Sequence, residues 1–298
     1  MTEPSDGLPI YHWRCRICSE EGKSRQLGRH CGKMVRQLTP VSQENMDWFE
    51  EFLNGVSWKF ISPEEIRPKP NSLTDPDIIS LACHAGRELE EILNQIKPPP
   101  PVYFEVYNPK SDHLRVSDFK KKKEIAGKVR SAIKWRKKDI PPMKKFPSGN
   151  IERGHVFDEY LSQVIEQIPE DSKWSQGSRV EFSCEELELR IGGTTDLDYD
   201  GIPVEMKTRP ELPRPGKPSF KEIWRNNYLP QIAMYSEACG LDWMFLLLIS
   251  RDSGEFSLIP VSGKTKLAKL KKDWKELARN GKLMQDIEKY RKQSAGDS

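Results

Sequence analysis

The stretch that most narrows what this chain can fold into is residues 192–208, GGTTDLDYDGIPVEMKT. Asp200-Gly201 lies between strand-like residues, and a two-residue type I′ turn needs positive φ at both central positions, which Asp-Gly tolerates. With that pair as the turn, Tyr199 pairs with Ile202, Asp198 with Pro203 and Leu197 with Val204, so Asp196 falls opposite Glu205. Directly opposed residues share a face, with β-carbons about 4.5–5.5 Å apart. Strand period two puts Lys207 on that face, across from Thr194, and turns Leu197, Val204 and Met206 toward a core. Opposed like charges destabilise a sheet. Two arrangements resolve the conflict: an exposed acidic hairpin with Lys207 as its counter-charge, or a site whose carboxylates hold a divalent cation. Two carboxylates and a further oxygen suit Mg²⁺, which keeps several waters. A lysine beside them can stabilise charge on a phosphate, which points to metal-assisted hydrolysis of a phosphodiester. Asp198 is a neighbour on the acidic face.

The flanking sequence supplies an α/β setting. Phe157, Leu161, Val164, Ile165 and Ile168 recur at helical spacing. Residues 179–191 alternate like one strand, 228–239 read as a short helix with Pro230 in its first turn, and 243–250 as a buried strand. Proline-rich stretches at 66–72, 97–102 and 139–150 read as connectors. They suggest an N-terminal module over 1–65, a helical and basic intermediate segment over 66–144, a core over 145–262 and a basic helical tail over 263–298.

Gly193-Thr194-Thr195-Asp196, then Glu205-Met206-Lys207-Thr208, then Gln231-x-x-x-Tyr235 resembles the PD-(D/E)XK nuclease superfamily. Within it the pattern looks most like the RecB-type branch, which includes the CRISPR-associated RecB-like exonucleases. The likeness covers about residues 145–262. It implies a restriction-endonuclease-like core, a mixed central sheet flanked by helices. It also implies a metal-dependent DNA nuclease, an exonuclease acting on DNA ends or single strands in recombination, repair or replication. Carried over by residue, Asp196 and Glu205 would bind Mg²⁺ or Mn²⁺, with the Met206 backbone carbonyl as a third ligand and Lys207 as the catalytic lysine. Gln231 and Tyr235 would support the site or touch DNA, and His155 matches an upstream metal-ligating histidine. On a helical projection, however, His155 falls opposite the Phe157–Ile168 apolar stripe. The cysteine trio that holds an iron–sulfur cluster in some relatives is missing, since Cys239 stands alone in the last third, and no cluster is expected. A sequence- or structure-specific endonuclease is compatible with the same motifs. So is a zinc-finger nucleic-acid-binding protein whose nuclease-like domain is a scaffold.

Six cysteines, two of them as Cys15-x-x-Cys18, suggest a reducing intracellular compartment, the cytoplasm of a cell or of a host carrying a phage or viral gene. Cys15, Cys18, His30 and Cys31 are candidate ligands of a zinc knuckle, although adjacent His30 and Cys31 ligate together only with strain, and His12 is an alternative. Cys83 and His84 read as core and surface residues of a helix. Net charge is only +3, but residues 115–145 hold thirteen Lys or Arg against three Asp or Glu. That run and the basic C-terminal stretch, with Trp135 and Trp274 interleaved, are either solvated faces or nucleic-acid contacts. The N-terminus lacks the pattern of a secretory signal, and no apolar run approaches the ~20 residues that span a bilayer, so no membrane partner is expected.

Overall fold

The computed structural model describes residues 10–15, 18–31, 33–66, 72–106, 113–136, 138, 149–213, 221 and 223–295. The N-terminal residues read for a signal and most of the connectors expected at 66–72 and 139–150 lie outside these. The chain begins with β1 (Tyr11–Arg14), β2 (Glu21–Ser24), β3 (Arg29–His30), β4 (Lys33–Met34) and β5 (Arg36–Pro40). There follow α1 (Gln43–Gly55), β6 (Lys59–Phe60), α2 (Pro63–Ile66), α3 (Pro76–Gln95) and β7 (Tyr103–Val106). A 3₁₀ turn (Val116–Phe119) leads to α4 (Lys122–Trp135) and α5 (Asn150–Glu166). Then come β8 (Trp174–Gln176), β9 (Arg179–Cys184), β10 (Leu189–Thr194), β11 (Leu197–Tyr199) and β12 (Ile202–Arg209). A π turn (Trp224–Tyr228) runs into α6 (Leu229–Ala238), followed by β13 (Trp243–Ser250), β14 (Glu255–Ser262), α7 (Lys264–Ala278) and α8 (Gly281–Ala295).

The Asp-Gly turn forms as its chemistry dictates. Asp200 and Gly201 have φ of 52° and 80°, and the register is Leu197–Val204, Asp198–Pro203, Tyr199–Ile202. Asp198 does not line a site. Its Oδ1 accepts from Gly201 N at 2.9 Å and closes the turn.

This hairpin belongs to a six-stranded mixed sheet in the order β6-β14-β13-β12-β11-β8, with β12 parallel to β13 and β14 parallel to β6. Strand alternation divides the core in two. Met244, Leu246 and Leu248 of β13 enter one layer with the aliphatic faces of α4, α6, α7 and α8. Phe245, Leu247 and Ile249 enter the other, with α1, α3 and α5. The result is an α/β sandwich, a mixed sheet with helices on both faces.

Three expectations change. Residues 179–191 are not one strand: a 3₁₀ turn and left-handed Glu188, φ 50°, fold them into the β9–β10 hairpin, a two-stranded sheet of its own. The chain kinks between β10 and β11, so Thr194 pairs with Arg179 and does not stand across from Lys207. Trp274 is not a surface aromatic. It is buried against Phe182, ring centroids 5.6 Å apart, and α7 and α8 pack into the core through Leu267, Leu270, Leu283 and Ile287.

The segments divided by proline also interleave. β6, from 1–65, pairs with β14, while β7, from 66–144, joins the N-terminal sheet β2-β1-β5-β7. α3 starts at an Asp75 cap whose side chain accepts from Asp77 N, and Cys83 and exposed His84 lie along it. No helix among the described residues is long and apolar enough to cross a membrane.

Candidate functional site

Two clusters of metal-ligating chemistry stand out. The first grows from the kink after β10. Thr195 is buried and its backbone N–H donates to Ser178 O at 3.1 Å, while its hydroxyl accepts from Ser178 N at 2.9 Å. These bonds turn the chain so that Asp196 N donates to Val204 O and Asp196 Oδ2 accepts from Met206 N at 2.7 Å. The carboxylate thus lies along β12 beside Glu205 and Lys207. Met206 itself points into the opposite layer, 8% exposed.

Glu205 is fully buried. Its Oε1 pairs with Lys207 Nζ, while Oε2 has no hydrogen-bond partner among the described residues. An unpaired buried acceptor costs on the order of 1–3 kcal/mol, more when charged, and a protein that keeps one generally uses it. Lys207 Nζ also donates to Met206 O at 2.8 Å and lies 4.0 Å from Asp196 Oδ2. Burial, then the Asp196 carboxylate, push Glu205 up to about 7, with Lys207 pulling the other way. Glu205 and Asp196 in turn hold Lys207 above its ordinary value, against the effect of its own burial. Negative charge is therefore concentrated in a desolvated place where, among the described residues, Lys207 is the one ammonium paired with the carboxylates, and such hard oxygens are the donor type that suits a cation such as Mg²⁺ or Mn²⁺.

α6 closes the site from above. Gln231 and Tyr235 are both buried, and the Tyr235 phenol, hydrogen-bonded to Gln231, is pushed up by burial and by Glu205 and Asp196. This contact explains Gly193: a β-carbon there would stand 2.5 Å from Tyr235 Cε1 and 3.1 Å from Val116 Cγ2. The glycine lets the tyrosine and the 3₁₀ turn approach the strand backbone.

His155 lies on α5 against β7. Its ring stacks on Phe104 of β7, centroids 5.6 Å and planes 10° apart, and burial lowers its pKa. His155, Asp196 and Glu205 do not form a trio with ligand atoms all within 4.8 Å of one another. Asp158, nearly one turn further along α5, is the residue that sequence reasoning missed. Although its side chain reaches solvent, the surrounding protein, then Asp196, push it up to about 7, and Lys207 and Arg251 oppose this. Its position three residues after His155 was the available signal.

The second cluster is Cys15, Cys18, His30 and Cys31, whose ligand atoms all lie within 4.8 Å of one another; among the described residues it is the one such group. Cys18 Sγ is 3.4 Å from His30 Nδ1 and 3.6 Å from Cys31 Sγ, and Cys31 Sγ is 3.3 Å from His30 Nδ1. The strain expected of adjacent ligands is taken up by Cys31, which adopts φ 49°. His12 is not in the group; its ring packs on Tyr103, 5.3 Å away. Hydrogen bonding from Cys18 raises the Cys31 thiol to about 11, and contact with Cys15 raises His30. A metal must displace those protons, so affinity falls with acid. Three sulfurs and an imidazole are compatible with zinc.

No protein-family model and no curated protein matches the sequence. Among solved structures, that of the protein SSO0001 is similar over 67% of this chain and 86% of its own, at 14% identity and a TM-score of 0.34, too low to carry any conclusion about fold or function.

Proposed function

We propose that the chain is a metal-dependent nuclease of the PD-(D/E)XK type, hydrolysing DNA phosphodiesters at ends or on single strands. The observation that carries this is Glu205: a fully buried carboxylate, one oxygen without a partner among the described residues, beside Asp196 and Lys207. Asp196 and Glu205 would hold Mg²⁺ or Mn²⁺, the Met206 carbonyl being a further oxygen at the same place. When bound, that ion supplies an activated water and offsets phosphoryl charge.

The protein's own groups do the rest. Lys207 lies within reach of both carboxylates and can donate to a non-bridging phosphate oxygen as negative charge builds on it. Gln231 and Tyr235 hold the upper wall and exclude water. In the balanced reaction, water oxygen bonds to phosphorus as the bond to the leaving sugar oxygen breaks. One water proton ends on that oxygen and the other goes to solvent from the new phosphate monoester. The Cys15, Cys18, His30 and Cys31 cluster would hold a structural zinc.

The test is a time course of purified protein on end-labelled linear and closed circular DNA, single- and double-stranded, with Mg²⁺ or Mn²⁺. Shortening of linear substrates, stopped by EDTA and by Lys207→Ala, is the expected result. Nicking of circles would make the enzyme an endonuclease. Binding without any loss of substrate would leave a nucleic-acid-binding scaffold and end the nuclease assignment.

A further inference from the structure

The basic run at 120–123 is not uniform. Lys121 pairs with Glu124 and Lys122 with Glu276, while Lys128 in the next turns pairs with Asp118. Lys120 has no hydrogen bond or ion pair with any described residue, yet it is half-buried. It closes the 3₁₀ turn, and that turn is fixed from three sides. Arg115 bridges Gly192 of β10, Val116 packs where Gly193 leaves room beside Tyr235, and Phe119 stands in the core against Trp274, 6.4 Å between centroids. Arg115 N also donates to Asp118 Oδ2 at 3.1 Å. The turn that carries Lys120 is therefore tied to the strand beside it and to the core.

The charges that act on Lys120 are those of the carboxylate site. Burial, then the Lys207 ammonium, lower it to about 8, while Glu205 and Asp196 pull it back. Two ammonium groups from distant parts of the chain thus act on one another and on the same carboxylates, and one of them has no counter-ion of its own among the described residues. An unpaired, partly desolvated cation is costly in the free protein. The cost is removed by an anion arriving between the two lysines.

We propose that Lys120 is a second phosphate-contacting residue of the site, donating to a backbone phosphate of the nucleic acid at or next to the bond that Lys207 serves. The proposal rests on the nuclease reading above and deepens it, adding a contact from outside the strand motifs.

Steady-state hydrolysis of a labelled single-stranded oligonucleotide with Mn²⁺ tests it, using wild type, Lys120→Met, Lys120→Arg and, as the exposed neighbour, Lys123→Met. The expected result is a loss in kcat/KM of about 10- to 100-fold for Lys120→Met. Lys120→Arg should recover most of it, and Lys123→Met should stay within about 2-fold of wild type, as a solvated surface charge should. Removing one phosphate contact should also lower the salt dependence of oligonucleotide binding by about 0.7 in log–log slope. Thermal melting of Lys120→Met should equal or exceed that of wild type, because a buried cation without a partner is replaced by an apolar chain of similar length. A structural lysine would give the opposite sign. Wild-type rates in Lys120→Met, equal losses in Lys123→Met, or lost rate together with lost melting temperature each overturn the Lys120 assignment while leaving the nuclease intact. A wild-type protein that cleaves nothing overturns both.

Discussion

The two clusters are held together in opposite ways. Asp196, just before β11, and Glu205 and Lys207 on β12 belong to a six-stranded sheet with an apolar layer on each face. Cys15, Cys18 and Cys31 lie in the turns between two- to four-residue strands and His30 ends one of them, over a small apolar cluster: Leu27 and Val35, with Trp13 and Trp135 against it. A core of that size contributes little against the chain entropy of the residues it orders. At the first site, then, the fold holds the ligands in place; at the second, the ligands would have to hold the fold. The donors differ accordingly. On the nuclease reading the buried hard oxygens would be kept for chemistry, while three sulfurs and an imidazole, Cys15 buried and Cys18 and Cys31 exposed, form a set compatible with structural zinc.

The largest effect that could break this contrast is metal removal. Elemental analysis should find one zinc per chain, and binding of structural zinc is worth on the order of 10 kcal/mol near neutral pH. Stripping it with a chelator, or making Cys18→Ser, should erase amide-exchange protection in β1–β5 while β12–β14 keep theirs. Equal loss in both regions would show that they fold as one unit.

Next comes Glu205→Gln, expected to lower DNA cleavage by about 100-fold or more without unfolding the sheet. A variant with full activity would reassign the carboxylate to a purely internal role. Gly193→Ala should be milder, costing about 1–3 kcal/mol in urea melts as Tyr235 and Val116 are pushed off the strand. It should also depress cleavage, because the displaced tyrosine walls the site. Smallest is Gly201→Ala, where φ of 80° makes the change cost about 1 kcal/mol. Its activity should survive, since the rest of the sheet holds Asp196 in place.

What could be read from the sequence was what is local. The Asp200-Gly201 turn fixes the register of its own hairpin, which brings Asp196 to the end of β12 that carries Glu205 and Lys207, although the bonds between Ser178 and Thr195 that finish placing it were not legible. The Gln231–Tyr235 pair is likewise a property of one helix. Asp158 and Lys120 were not legible, because their closeness to Glu205 depends on how α5 and the 3₁₀ turn dock, contacts spanning about 45 and 85 residues of chain. Nor was the break at residues 185–188, where alternation runs on in the sequence although the chain reverses. The basic C-terminal run read as a tail because its charges are conspicuous. Its apolar stripe, Leu267, Leu270 and Trp274, is narrower than the lysines that flank it.

The bonds between Ser178 and Thr195 have a bearing on how freely this protein can vary. They fasten the base of the β9–β10 hairpin just before Asp196, while Phe182, Leu187 and Leu189 along it are buried in the same apolar layer as Trp274. Its turn is packed as well, with Leu187 fully buried, so residues added or removed around Glu186 would disturb that layer even though the seam at Thr195 stayed in phase.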